Sequence, residues 1–227
     1  MTGRVAALAL GCCVAAVAPA AAQAARSAPV GGLKHEISIG GVFSGPSSMG
    51  SANAELLGSN GQPSITLFST SNGMSAGFGP ELLLGFRMRP GLWFEAGGSL
   101  SWPSLSSKIE DDFEGAETQT LSSRVTRWTV EGALVWWIKD KGRTTWFIRA
   151  GGGIAGEVSD DLSSGATGAL GTGGVGVRHW FRESKGGLRK MGLRAEFRGV
   201  VQGGGLSFND RTTRFSPTGT VHLVFGY

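Results

Sequence analysis

Along most of the chain, apolar and polar residues take turns one by one. Over residues 192–202, Leu193, Ala195, Phe197, Gly199 and Val201 occupy one parity, and Arg194, Glu196, Arg198, Val200 and Gln202 the other. The C-terminal run does the same, with Val221, Leu223, Phe225 and Tyr227 set against Ser216, Thr218, Thr220 and His222. In 124–139 the apolar parity holds Thr126, Trp128, Val130, Gly132, Leu134, Trp136 and Ile138, opposed by Arg127, Thr129 and Glu131. In 92–102, Leu92, Phe94, Ala96, Gly98, Leu100 and Trp102 stand opposite Trp93, Glu95, Gly97, Ser99 and Ser101. Successive side chains of a strand point to opposite faces, so this period of two predicts strands with one dry and one wet face.

Extended along the chain, the pattern predicts eight strands, at about 34–44, 75–88, 92–102, 124–139, 144–158, 168–182, 191–202 and 214–227. Each reaches the ~9–11 residues that a tilted membrane-crossing strand needs. Their connections alternate in length. Residues 89–91, 140–143 and 183–190 are short links, whereas 45–74, 103–123, 159–167 and 203–213 are longer and polar. Short turns at one end and long loops at the other are the up-and-down arrangement of a membrane barrel. The predicted fold is therefore all-β, an eight-stranded antiparallel up-and-down transmembrane β-barrel. Ten strands is the alternative count, because 64–70 within the first long link also reads as strand, extending a hairpin above the membrane.

Composition narrows the field without adding a function. Glycine supplies 39 of 227 residues, about 17% against an average near 7%. Interior glycine weakens a helix by about 1 kcal/mol, which argues against a helical protein. The mean hydropathy of +0.03 fits a barrel wall, whose apolar and polar parities average out. The glycines follow no collagen period, and 12 phenylalanines with 7 tryptophans speak against disorder.

Residues 1–24 read as a cleaved signal peptide: Arg4, an apolar run over 5–17, Pro19, then small residues offering cleavage after Ala22 or Ala24. A short segment, 25–33, then leads into the barrel at 34–227. Cys12 and Cys13 are the only cysteines, so their removal leaves no disulfide and no thiolate chemistry. The formal charge of +4 is too small to imply a nucleic-acid partner.

The alternation, the unequal connections and the C-terminal strand together resemble the small bacterial outer-membrane β-barrels of the OmpA-transmembrane-domain, OmpX and OmpW type. Val221, Leu223, Phe225 and the final Tyr227 are similar to the signal that the barrel-assembly machinery reads, with tyrosine in place of the commoner phenylalanine. The resemblance implies a monomer in the outer membrane of a Gram-negative cell, with outer-membrane lipids and that machinery as partners. It also implies surface ligands, met through the loops 45–74 and 103–123.

If the polar parity faces inward, the lumen holds Glu36, Glu81, Glu95, Glu131, Glu157 and Glu196 with Arg87, Arg127, Arg149, Arg178, Arg194 and Arg198. An eight-stranded barrel is just wide enough for its own side chains, so these six of each sign are expected to form a hydrogen-bonded plug. The alternative is a small or gated pore for hydrophilic or amphipathic solutes, opened by rearranging the pairs. A second alternative, an outer-membrane lipid-modifying enzyme, would need a histidine at a site in the wall. His222 shares the lumen face, in reach of Glu196 or Ser216, while His179 falls on the lipid face or rim. Neither lies in a catalytic motif, and the expectation is a non-enzymatic protein with a structural and surface-interaction role. No metal-ligand spacing is present, and no cofactor is expected. The run 151–156 fits G-x-G-x-x-G but lacks the helix and the acidic residue that a dinucleotide site requires.

The two ends differ in charge. Arg89, Lys139, Lys141, Arg143, Arg182, Lys185, Arg189 and Lys190 crowd the short turns, and Glu55, Glu110, Asp111, Asp112, Glu114, Glu117, Asp160, Asp161 and Asp210 the long loops. Aromatic residues flank the apolar belt, Trp136, Trp146, Phe225 and Tyr227 on the turn side and Phe43, Phe78, Trp102 and Phe215 on the loop side, as membrane girdles do.

Overall fold

The computed structural model describes residues 33–56, 65–110, 118–138, 142–159, 165–183, 190–204 and 213–227. The predicted leader, most of the 25–33 segment and many of the end charges (Lys139, Lys141, Lys185, Arg189, Asp111, Asp112, Glu114, Glu117, Asp160, Asp161 and Asp210) lie outside the described residues.

Among the described residues eleven strands follow one another: β1 (His35–Ser44), β2 (Ser47–Leu56), β3 (Ile65–Met74), β4 (Gly77–Arg89), β5 (Leu92–Ser101), β6 (Ser104–Glu110), β7 (Gln119–Trp137), β8 (Thr144–Ser159), β9 (Gly165–Glu183), β10 (Lys190–Gly204) and β11 (Thr213–Gly226). Eight of them, β1-β4-β5-β7-β8-β9-β10-β11, close into an antiparallel ring through the β1–β11 and β7–β8 pairings. These eight coincide with the eight predicted from alternation. Closure leaves the ring no free edge, which is how a sheet survives without water to satisfy its backbone.

Two of the connections expected as loops are corrected. Link 45–74 contains β2 and β3, and link 103–123 contains β6 and the first residues of β7, 119–123. Each short strand is the continuation of a barrel strand past a break, β1 into β2, β3 into β4 and β5 into β6. Pro46 and Pro103 lack the amide that a ladder needs, so two of the breaks fall beside them. The gaps are bridged locally, by Gly45 N–H donating to the Pro217 carbonyl at 2.6 Å and Ser75 N–H to the Ser104 carbonyl at 2.8 Å. Beyond the breaks the sheet continues as β2-β3-β6-β7. The ten-strand alternative located part of this extension, though the extra strands stand above the ring and do not widen it.

Polarity reverses between ring and extension. On the ring, apolar side chains point out: Phe197 is 61% exposed, Ile39, Val175 and Val221 54%. Just beyond the breaks the apolar side chains turn inward, and Met49, Met74, Leu105 and Val125 form a buried cluster, while Leu56, Phe68 and Leu121, farther along the extension, are exposed. Its outer face carries the exposed Ser51, Ser71, Ser104, Lys108 and Arg124. A second buried cluster, Trp93, Val135, Trp137 and Phe147, closes the turn end of the lumen, with Leu33 packed against it.

The run 151–156 lies within β8 and leads on along the same strand to Ser159. It opens no helix, so the dinucleotide reading has no structural footing.

Candidate functional site in the barrel lumen

The inward parity gathers charged side chains from all eight ring strands into one column. Glu36, Glu81, Glu95, Glu131, Glu157 and Glu196 are all buried, as are Arg127, Arg149, Arg178, Arg194 and Arg198. Arg87 is the exception among the residues expected there, half-buried at the turn end of β4. Arg214 takes the sixth place, 7% exposed at the opposite end. Arg214 lies inside the predicted last strand, 214–227, and shares the parity of Ser216, Thr218 and Thr220, so the same alternation already points it inward.

Arg198 is the hub. Its Nη1 and Nη2 each donate to Glu81 at 2.8 Å, Nη1 also to Glu131 at 2.9 Å, and Nε to Glu196 at 2.9 Å. Arg149 donates to Glu131 at 2.7 Å and lies 3.6 Å from both Glu95 and Glu196. Arg194 holds Glu95 through both nitrogens of its fork, Nη2 at 3.0 Å, and reaches Glu196 at 2.9 Å. Arginine suits this task because five rigidly placed N–H donors can serve several carboxylates at once.

His222 completes the hub. It meets Glu81, Nε2 to Oε2 at 2.7 Å, and not Glu196 or Ser216 as its parity suggested. The reason is the residue between them. Gly40 of β1 stands opposite both Glu81 and His222, and a Cβ there would lie 2.6 Å from the imidazole Cδ2. His179, by contrast, is exposed and bonds Thr144 Oγ1 at 2.8 Å.

Two smaller groups flank the hub. Towards the extension, Arg214 Nη2 donates to both oxygens of Glu157 at 2.8 Å, and Arg127 Nη2 to Gln202 Oε1 at 2.7 Å, while Gln202 donates to Glu157 at 3.3 Å. At the turn end, Arg178 pairs with Glu36 and lies over two indoles, 3.6 Å from the Trp137 ring centre and 4.4 Å from Trp180. A cavity of about 40 Å³ separates hub from upper group, bordered by Ser99, Ser101, Thr129, Arg127 and Arg198. That is room for about three waters.

Inward glycines make the network possible. Glu36 and Glu95 each face Gly85, Glu131 faces Gly97 and Gly153, Arg149 and Arg198 both face Gly174, and Glu196 faces Gly176. The space these glycines leave is taken by neighbouring side chains, the Arg198 stem at Gly174, Phe147 at Gly176 and Leu83 at Gly97. At Gly174 a Cβ would sit 2.5 Å from the Phe197 carbonyl oxygen and 3.0 Å from the Arg198 Cγ. Gly174→Val is accordingly expected to lower stability by about 1–3 kcal/mol, read as a shift in the urea midpoint of the folded barrel. An unchanged midpoint would show that the lumen has slack at this position.

The residues of the expected assembly signal line the outer face of β11. Val221, Leu223 and Tyr227 are exposed and Phe225 is half-buried on the same side. Among the described residues there is no cluster of His, Cys, Asp and Glu that could hold a metal ion.

The sequence matches no protein-family model and no curated protein. Solved structures do match. Its structural neighbours are outer-membrane β-barrels. OprG from Pseudomonas aeruginosa is 9% identical with a TM-score of 0.47, over 86% of this chain and 96% of that one. Ail, the attachment invasion locus protein of Yersinia pestis, is 13% identical with a TM-score of 0.35, over 86% of this chain and 100% of its own. The toluene transporter TbuX of Ralstonia pickettii is 8% identical with a TM-score of 0.23, over 87% and 90%. The likeness is one of fold alone.

Proposed function

We propose that the protein is an integral outer-membrane barrel whose lumen is closed by its own charges, a non-enzymatic anchor that holds the β2-β3-β6-β7 extension at the cell surface. The observation that carries this reading is the hub itself. Arg198, Arg149 and Arg194 bind four carboxylates from strands on opposite sides of the ring, so the network crosses the full width of the lumen. Passage of a hydrated solute would require several of these buried pairs to part together, at several kcal/mol for each uncompensated charge.

The reversal of polarity at the strand breaks supports the membrane placement. An apolar exterior belongs in lipid and a polar exterior in water, which sets the bilayer surface near residues 45, 76 and 103. The expected partners follow: lipids around the ring, the assembly machinery at the C-terminal strand, and ligands met by the segments 45–74 and 103–123. The expected state is a monomer, and no nucleic acid is involved.

Two measurements test the proposal on the same preparation. Unheated and boiled samples should migrate differently in detergent gels, and the refolded barrel should leave a planar lipid bilayer electrically silent. On intact cells, a Ser71→Cys variant should react with a membrane-impermeant maleimide. Stable conductance steps would replace the plug with the gated-pore reading. Identical migration with a soluble protein would remove the membrane reading altogether.

A further inference from the structure

The cavity between the hub and the upper group lies beside a charge that the network leaves over. Among the described residues, every other buried arginine of the column donates to a carboxylate, and Arg127 does not. Its hydrogen bond runs from Nη2 to the neutral amide oxygen of Gln202 at 2.7 Å, and its Nε has no hydrogen-bond partner. Glu157 stands 4.0 Å from that Nε, but Arg214 holds both of its oxygens at 2.8 Å. Arg127 is itself buried, 7% exposed, and borders the cavity. We infer that the cavity holds one monovalent anion, a halide such as chloride, against Arg127. The inference rests on the closed lumen described above.

The walls supply the other donors. Thr172 Oγ1 is buried without a partner. Ser101 and Thr218, buried on β5 and β11, make no side-chain hydrogen bond among the described residues. Ser99 and Thr129 share one hydrogen bond at 2.7 Å. Whichever of them donates, the other keeps its proton free, because a hydroxyl has only one to give. All five hydroxyls border the cavity. Water alone would satisfy them and leave the guanidinium without a counter-charge, which a buried cation tolerates poorly. A metal cation would meet Arg127 directly and be repelled. In about 40 Å³ an anion replaces about one or two of the waters and keeps the rest as neighbours.

Charge also limits what the cavity accepts. The buried glutamates and arginines of the column match in number, but they are unevenly placed. In the hub, Glu81, Glu95, Glu131 and Glu196 face Arg149, Arg194 and Arg198, whereas above it Glu157 alone faces Arg127 and Arg214. A proton on His222, which is bonded to Glu81, offsets the surplus of the hub. The surplus of the upper group is then one positive charge. Glu81 and Glu131 border the cavity as well, each held on the hub side by Arg198. A divalent anion would press a second charge on these carboxylates with nothing to answer it, so sulfate and phosphate fit badly and a single charge fits. Arg127 also borders a narrower gap beneath the extension, beside Ser47, Arg214 and Ser216, which gives a small ion its way in.

Wild type and Arg127→Met are folded in detergent and titrated with urea, in sodium chloride and in sodium gluconate of equal ionic strength, with the folded fraction read from the gel shift. An anion bound only to the folded state lowers the unfolding constant about threefold when its concentration is twice its dissociation constant. The expected result is a drop of about threefold or more for wild type when chloride replaces gluconate, and no such drop for Arg127→Met. General salt effects act on both proteins alike, so the comparison isolates the site. Wild-type crystals grown in sodium bromide should show an anomalous peak in the cavity beside Arg127. An equal chloride response in the two proteins would overturn the inference, and so would bromide found only outside the wall. The opposite surpluses of hub and upper group would then offset each other across water. If Arg127→Met does not fold, Thr172→Val keeps the charge, removes one donor and should weaken the chloride response. Stable conductance steps from the wild type would instead remove the closed lumen on which the site depends, so the two failures are distinguishable.

Discussion

The Arg198→Met barrel is expected to be less stable than the parent by about 3–5 kcal/mol, the cost of removing one partner from a buried ion pair. Methionine matches much of the arginine's length and packing but offers no donor. Glu81 would lose both guanidinium contacts and keep only His222, and Glu131 and Glu196 would fall back on Arg149 and Arg194. None of these carboxylates has access to bulk water, since all three are buried. Arg198→Lys should fall between the two, because a point charge keeps the Coulomb attraction and loses the fork that serves three carboxylates together. Urea titration of the vesicle-folded barrel, followed by the gel shift, measures both. A loss under about 1 kcal/mol for the methionine variant would mean that the lumen admits enough water to replace the hub. The plug would then be no barrier to ions either.

The faces of the ring strands were legible in the sequence because lipid on one side and an Arg–Glu column on the other give strong contrast at every second residue. The same logic failed where contrast was absent. In Ser47–Leu56 both parities are dominated by serine, alanine, glycine and charge, and in Ser104–Glu110 only Leu105 and Ile109 mark one face of a seven-residue run, so β2 and β6 read as polar loop. Their strand state is decided by the ladder from β7 through β6 and β3, a tertiary effect that no local period records. Within the lumen, parity placed the charges inside but not their partners. Which glutamate meets which arginine depends on register and on inward glycines such as Gly40 and Gly174, and these become visible only once the strands are paired. Arg87 shows the limit of parity from the other side. It shares the inward parity of β4 but sits two residues from the strand end, where the wall no longer covers it.

Introducing arginine outside the wall should divide the molecule at the strand breaks. Ile39 is 54% exposed midway along β1, opposite Leu82 on β4 and Leu223 on β11. If this face meets hydrocarbon, Ile39→Arg should cost about 2–4 kcal/mol in vesicles, the value for a cation near the midplane of a barrel. Phe78→Arg, close to the break at residues 75–76, should cost about 0–1 kcal/mol, as interfacial positions do. Ser71→Arg, on the outer face of β3 beyond that break, should stay within about 0.5 kcal/mol of the parent. The three substitutions add the same charge to exposed positions of one continuous sheet, so burial and pairing within the protein do not distinguish them. Only the medium outside the wall differs. A graded loss in the order Ile39, Phe78, Ser71 would locate the bilayer surface where the chain reverses its polarity. Equal losses would mean that water bathes the whole exterior, and the exposed Phe197, Val175 and Val221 would then need a protein partner to cover them.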